Sequence, residues 1–223
     1  MAEITWDAEE DRIYEAGIDH GVLYIPDAGV YDNGVAWNGL TAVNETPSGA
    51  EATPIYADNI KYLNLMSVEE FGGTIEAITF PDEFYQFDGG AIVQGGIVVG
   101  QQNRAKFGLC YRTLIGDALV GDQRGYKLHL VYGAQAAPSE RAYNTINDSP
   151  ETAAFSWEFT TTPVPVTDHK PTALITIDST KVVPAELAAL EVILYGGAAT
   201  DPELPSPDEV IALFPTSGEV VEP

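Results

Sequence analysis

The chain has 223 residues, enough for one large domain or two small ones with a proper buried core. Hydrophobic residues make up 45% of it, which excludes a disordered chain. Its 34 acids against 10 bases give a net charge of −24, which argues against a protein that grips nucleic acid or an anionic membrane through clustered Lys and Arg.

The charge is also uneven. Six of the ten bases lie between Arg104 and Arg141, and no Lys or Arg follows Lys181. Eight acids do follow it: Glu186, Glu191, Asp201, Glu203, Asp208, Glu209, Glu219 and Glu222. Cys110 is alone, so no intramolecular disulfide forms and nothing points to an oxidising compartment. The first residues, Met1-Ala-Glu-Ile-Thr5, lack the basic and apolar regions of a signal peptide. No apolar run approaches the ~20 residues of a membrane helix. A cytoplasmic site of synthesis and folding is expected.

In chain order, Arg12–Ala16 and Gly21–Ile25 predict strands flanking a turn at Asp19-His20. Asn33-Gly34 reads as a hairpin turn, because both residues tolerate positive φ. Two strand-like runs, Val35–Thr46 and Ile60–Ser67, bracket a polar stretch with no regular pattern. A loop of that length inside a compact β domain usually has a function. Gly73–Phe80 is rich in β-formers, and residues 81–89 predict a turn or a short helical turn. Ile92–Val99 is apolar but interrupted by Gly95-Gly96, which suggests a bulge or a close backbone approach.

Three later runs alternate with a period of two, the mark of half-buried antiparallel strands. Phe107, Leu109 and Tyr111 oppose Lys106, Cys110 and Arg112. Tyr126, Leu128, Leu130 and Tyr132 oppose Lys127, His129 and Val131. Phe155, Trp157 and Phe159 oppose Ser156 and Glu158. Ala173–Asp178 predicts a last strand. Pro184–Tyr195 predicts a helix with Leu187, Leu190 and Leu194 on one face, Pro184 at its first position and Gly196 at its stop. Ser206-Pro207-Asp208-Glu209 has capping-box spacing ahead of a short helix, which Pro215 should end. These elements predict a mainly β fold in residues 1–200, including helix 184–195, and a C-terminal extension over 201–223.

A search for chemistry finds no phosphate-binding loop, no zinc-protease helix motif, no nucleophile elbow and no dinucleotide fingerprint. The histidines His20, His129 and His169 are scattered. His129 falls on a polar strand face and predicts a surface or interface role. Cys110 reads as a packed structural thiol. The carboxylate neighbours Glu69-Glu70 and Asp82-Glu83 are poorly spaced for a glycosidase, whose two acids converge ~5–9 Å apart. Asp27, Asp32 and Asn33 read as turn residues rather than a calcium site, since the EF-hand spacing is absent. Asn44-Glu45-Thr46 matches a glycosylation sequon that lacks a secretory context. No catalytic residue, cofactor or metal is expected.

Several phrases run in order along nearly the whole chain: GIDHGVLYI (Gly17–Ile25), GVAWNGLTAVNETPSGAEATPIYADNIKYLNLMS (Gly34–Ser67), TIEAITFPDEF (Thr74–Phe84), FGLCYRT (Phe107–Thr113), GYKLHLVYGAQAAPSER (Gly125–Arg141), TINDSPE (Thr145–Glu151) and FSWEFTTTPV (Phe155–Val164). This ordered set resembles the major tail protein of long-tailed bacteriophages, the tail tube subunit. The resemblance implies an antiparallel β-sandwich of the phage tail tube type, with a flanking α-helix and a short C-terminal helical segment. It implies hexameric rings that stack into a hollow tube, through which DNA passes without specific binding. It also implies a tape-measure protein, a tail terminator and a distal tail protein as partners, and a place in the virion tail after assembly in the host cytoplasm.

Two site expectations follow. The loop Asn44–Asn59, with Asn44, Glu45, Pro47, Ser48, Glu51, Pro54 and Asp58, is expected to bridge stacked rings. Glu76, Lys127, His129 and Glu158, on polar strand faces, are candidates to face the bore. The alternatives are a β-sandwich module that decorates a virion or cell surface, favoured by exposed aromatics on loops, and an acidic hydrolase, for which no nucleophile and base are visible.

Overall fold

The computed structural model describes residue 6, residues 12–143, residue 145 and residues 154–214. Pro215, Glu219, Glu222 and most of the 145–151 phrase lie outside the described residues. The protein is mainly β. Strands β1 (Ile13–Asp27), β2 (Val30–Ala36), β3 (Leu40–Glu45), β8 (Gly72–Ala77), β11 (Phe107–Asp117), β12 (Gly121–Ala136), β13 (Phe155–Thr161) and β14 (Leu174–Asp178) form one antiparallel sheet. Its order is β2-β1-β11-β12-β13-β8-β3, with β14 also on β12.

The sheet folds on itself at β12. Lys127 to Val131 pair with β14, whereas Ala134 to Ala136 pair with β13. Between them Gly133 adopts φ +59°, and a Cβ there would lie 2.4 Å from the Thr162 carbonyl oxygen. Only glycine satisfies both demands. The two halves of the sheet therefore face each other as a β-sandwich. Leu23, Phe107, Leu109, Tyr111 and Val131 meet Ile75, Trp157 and Phe159 between them. Phe84, on a 3₁₀ turn at Asp82–Gln86, plugs one end, 5.0 Å from the Trp157 ring.

A second core covers the other face of β1, β11 and β12. Val22, Tyr24, Cys110, Leu128, Leu130 and Tyr132 pack under α1 (Pro184–Tyr195) and α2 (Pro207–Leu213). The α1 face is the predicted one: Leu187, Leu190 and Leu194 are buried, and Gly196 ends the helix at φ +77°. Two buried tyrosines fix this layer. Tyr24 donates to the Leu194 carbonyl at 2.7 Å, and Tyr132 to the Pro205 carbonyl at 2.9 Å. The capping box on Ser206 and Glu209 is formed. Residues 201–214 are anchored in this core by Leu204 and Val210, and Leu204 also bridges to Tyr31 on the β2 edge.

Several local expectations are corrected. Asp19-His20 is not a turn: β1 runs through it, with register shifts on both sides and His20 at φ +51°. Arg112 clamps that bulge with two bonds to Asp19, at 2.6 and 2.7 Å, and so holds the Asp19 carboxyl below its usual range. Asn33-Gly34 lies inside β2, and the β1–β2 turn is at Ala28-Gly29. Gly34 serves close packing, since a Cβ would stand 2.9 Å from the Tyr24 ring. The 35–46 run is two strands, β2 and β3, separated by a turn. Gly95-Gly96 is the turn of a hairpin, β9 (Ala91–Gln94) and β10 (Ile97–Val99), with open space around both glycines.

The two-sided core makes α1 a test. Leu190→Ala is expected to cost about 2–5 kcal/mol, because the side chain is fully buried. Val192→Ala, on the exposed side of the same helix, should change stability by less than about 0.5 kcal/mol. Urea midpoints measure both. Burial pushes the Cys110 thiol up to about 12. It should ignore a thiol reagent in the folded protein and react at once in guanidinium.

Candidate assembly surface

The 44–59 stretch is not an irregular loop. Two more short strands continue the β3–β8 ladder outward from the sandwich. Glu45 pairs with Gly73, Thr46 donates to the Gly72 carbonyl at 2.8 Å, and β4 (Ser48–Gly49) pairs with β7 (Glu69–Glu70). Beyond them β5 (Ala52–Ala57) and β6 (Ile60–Met66) form a hairpin closed at Asp58-Asn59. Both turn residues have positive φ, 49° and 63°, as a two-residue hairpin turn requires. At the stalk Gly49 has φ +83°, and a Cβ would come within 2.2 Å of the Val68 carbonyl oxygen.

Every residue of β5 and β6 is exposed. Pairing puts Ile55 opposite Leu63, Thr53 opposite Leu65 and Ala57 opposite Ile60, which gives one face without a charge. Tyr56 and Tyr62 are 68% and 67% exposed. A lone two-stranded hairpin is marginal in water, and this one shows its apolar side chains to solvent. The β9–β10 hairpin does likewise with Ile92, Val93, Ile97, Val98 and Val99. Together with Val68, the two hairpins hold 13 of the 24 exposed large hydrophobics among the described residues, so apolar exposure is concentrated there.

Beside β9–β10 lies a cleft of about 380 Å³. Arg104 and Arg141 line it and share one carboxylate, Asp88. Arg104 also donates to the Asp88 carbonyl at 3.0 Å, yet its Nε is buried without a hydrogen-bond partner. A second cleft, about 450 Å³, lies between His20, Trp37 and Tyr195.

The base of the arm is held by a polar cluster. Tyr111 donates to Glu45 at 2.6 Å and stacks flat on the His129 ring, with centroids 4.6 Å apart. His129 lies 2.9 Å from the Thr113 hydroxyl. Its Nδ1 is 3.3 Å from Glu45, within reach of its charge but not aligned as a hydrogen bond. The His129 ring and then the Tyr111 hydroxyl outweigh burial and lower the Glu45 carboxyl from its ordinary value of 4.5. Burial and the Glu45 charge push the Tyr111 hydroxyl upward.

The structure divides the expected site residues. Asn44 and Glu45 end β3 in the body, Pro47 and Ser48 enter the stalk, Glu51 and Pro54 stand along the arm, and Asp58 is at its tip. The four bore candidates do not share a face. Glu76 and Glu158 lie on the outer side of β8 and β13, opposite Ile75 and Trp157, and Asn44 donates to Glu76 at 3.3 Å. Lys127 and His129 alternate with Leu128 and Leu130 and so point to the other side of β12. Lys127 pairs with Glu15. His129, expected in a surface or interface role, is only 8% exposed in the single chain because Glu45 and Tyr111 close over it. Asp27, Asp32 and Asn33 flank or lie in β2, and among the described residues no group of three or more His, Cys, Asp or Glu could hold a metal ion.

The apolar arm residues and the β9–β10 hairpin were missed as a surface. Their signals were present: Asp58-Asn59 and Gly95-Gly96, each flanked by apolar runs.

No protein-family model matches the chain, and no curated protein matches it. Among solved structures, one similar chain comes from a cryo-EM structure of the baseplate of the anti-feeding prophage, 6-fold symmetrised. It shares 10% identity with this chain at a TM-score of 0.38, covering 80% of this chain and 100% of that one. A likeness at that score carries no argument.

Glu45 sets a pH test. Its folded value is depressed, so its contribution to stability is full above the ordinary 4.5 and lost as pH falls through the folded value. Glu45→Gln should therefore lower the urea midpoint at pH 7, with the gap to wild type closing below about pH 4.5. A gap that stayed constant down to pH 3 would rule out this linkage.

Proposed function

We propose that this chain is a structural subunit of a phage tail tube, in which six copies close into a ring and rings stack into a hollow conduit for DNA. The observation that carries the reading is the arm, a hairpin built onto the β3–β8 ladder with an uncharged apolar face left to solvent. Such a face gains when another surface covers it, by roughly 25 cal/mol per Å² of apolar area. The sequence resemblance supplies the occupant, a subunit of the neighbouring ring.

Ring closure uses the sheet edges. An edge strand offers unpaired N–H and C=O groups to another chain, and closure of a ring removes that hazard. The bore is assigned to the outer face of β3, β8 and β13, where Glu76 and Glu158 lie among Asn44, Thr74 and Ser156. Carboxylates there keep a polyanion off the wall over the ~8 Å Debye length of physiological salt. The tube would form in the host cytoplasm around a tape-measure protein, meet a terminator at one end and a distal tail protein at the other, and enter the virion. No catalysis is assigned.

The exposed Tyr56 and Tyr62 favour one second reading, a β-sandwich module that decorates a virion or cell surface. Electron microscopy of the purified protein separates the two. Rings or tubes are expected, and a protein that stays monomeric at every concentration favours the decoration module. Replacing residues 52–66 with a short Gly-Ser link should leave a folded subunit that no longer makes tubes. The thermal midpoint should move by less than about 5 °C, since no arm side chain enters a core. Tubes of normal length from that variant would overturn the role of the arm.

A further inference from the structure

We propose that the arm tip of one copy docks into the Arg104–Arg141 cleft of the next, with Asp58 entering the cleft and the arm's apolar residues lying on the β9–β10 hairpin. The proposal rests on the reading of the chain as a self-assembling subunit.

Charge selects the pair. The 52–66 hairpin carries two charges, Asp58 at the very tip and Lys61. The cleft sets two guanidinium groups against the single carboxylate of Asp88, which leaves one formal positive charge. Such a surplus is rare in a chain of net charge −24. A carboxylate from outside balances that surplus, and a guanidinium–carboxylate contact is a strong hydrogen bond.

Shape and polarity agree. Gly100 lines the cleft mouth with nothing within 4 Å of where a Cβ would stand, so backbone there is open to a narrow turn such as Asp58-Asn59. Val98 lies at its rim, paired with Ile92 on β9. Tyr56 and Ile60 flank Asp58 on the arm, so insertion of the tip would bring apolar surface onto apolar surface. Six residues of β5 give the hairpin a reach of about 20 Å. The contact is head-to-tail, since the arm and the cleft are different patches of one chain. Contacts of that kind build closed rings or open filaments rather than paired dimers.

The test is a directed disulfide in full-length protein. Asn59→Cys, which keeps Asp58 at the tip, and Gln101→Cys at the cleft mouth are mixed at equal concentration and oxidised. The expected product is a 59–101 linked dimer on a non-reducing gel, confirmed by peptide mapping, at least ten-fold above a control in which Thr160→Cys replaces Gln101→Cys. Electron microscopy of wild-type protein in the same buffer separates the two ideas. Rings or tubes without the 59–101 link would overturn the docking site and leave the tube reading standing. The link without rings or tubes would support the docking site and overturn the tube reading. Neither product would overturn both.

Discussion

Gly133 is the point on which the rest of the molecule turns. β12 gives its first part to β14 and its last residues to β13, and the change of partner needs a left-handed residue with no side chain against Thr162. Without that fold the sheet would be one open surface with a single core. With it, β1, β11 and β12 are buried on both faces, by the other half of the sheet on one side and by α1 and α2 on the other. The largest buried aromatic side chains serve this arrangement. Trp157 and Phe84 fill the inside, while the Tyr24 and Tyr132 hydroxyls tie down the outer layer. A central strand pair covered on both faces is a rigid base, and everything that reaches outward is built from its margins.

The arm shows what that base permits. A two-residue-tipped hairpin in water is marginal by itself, but this one begins as the β3–β8 ladder and keeps pairing through β4 and β7. Glu45 stands where the ladder leaves the sandwich, held by Tyr111 from β11 and facing His129 from β12. The polar cluster therefore links the rigid strand pair to the root of the arm. Tyr111 and His129 are buried while Glu45 stays partly open to solvent, so the root of the arm is tied to the core through the Tyr111 hydroxyl.

The parts of the fold legible in the sequence were those where one face is apolar and the other is not. The β13 alternation around Trp157 and the α1 stripe of Leu187, Leu190 and Leu194 have that form, and Pro184 and Gly196 mark the helix ends. Reading failed where a residue type serves two purposes. Gly34 was read as a turn because glycine tolerates positive φ, but it is small because the Tyr24 ring lies against it. His129 was read as a surface or interface residue because it alternates with leucines, but its face is closed by a polar partner from a strand 84 positions earlier, which no local pattern reports. Ile60–Ser67 was read as a strand, and β6 bears it out, but residues 47–59 were read as a loop because β5 buries nothing, and periodicity speaks only where a face is buried.

That last failure carries information about function. Strands that pair well yet have no face in their own subunit's core carry apolar residues without an internal reason. Ile55, Ile60, Leu63 and Leu65 are as apolar as the residues of β11, and they stand in water. Exposed apolar hairpins are an aggregation hazard, and proteins commonly blunt such edges with charge. Here the chain carries 34 acids and puts one of them, Asp58, on the 52–66 hairpin. Charge on the arm is confined to Asp58 at the tip and Lys61 opposite Tyr56, which leaves the Ile55–Leu63 face bare, and a bare apolar face beside abundant charge elsewhere is what a contact surface needs.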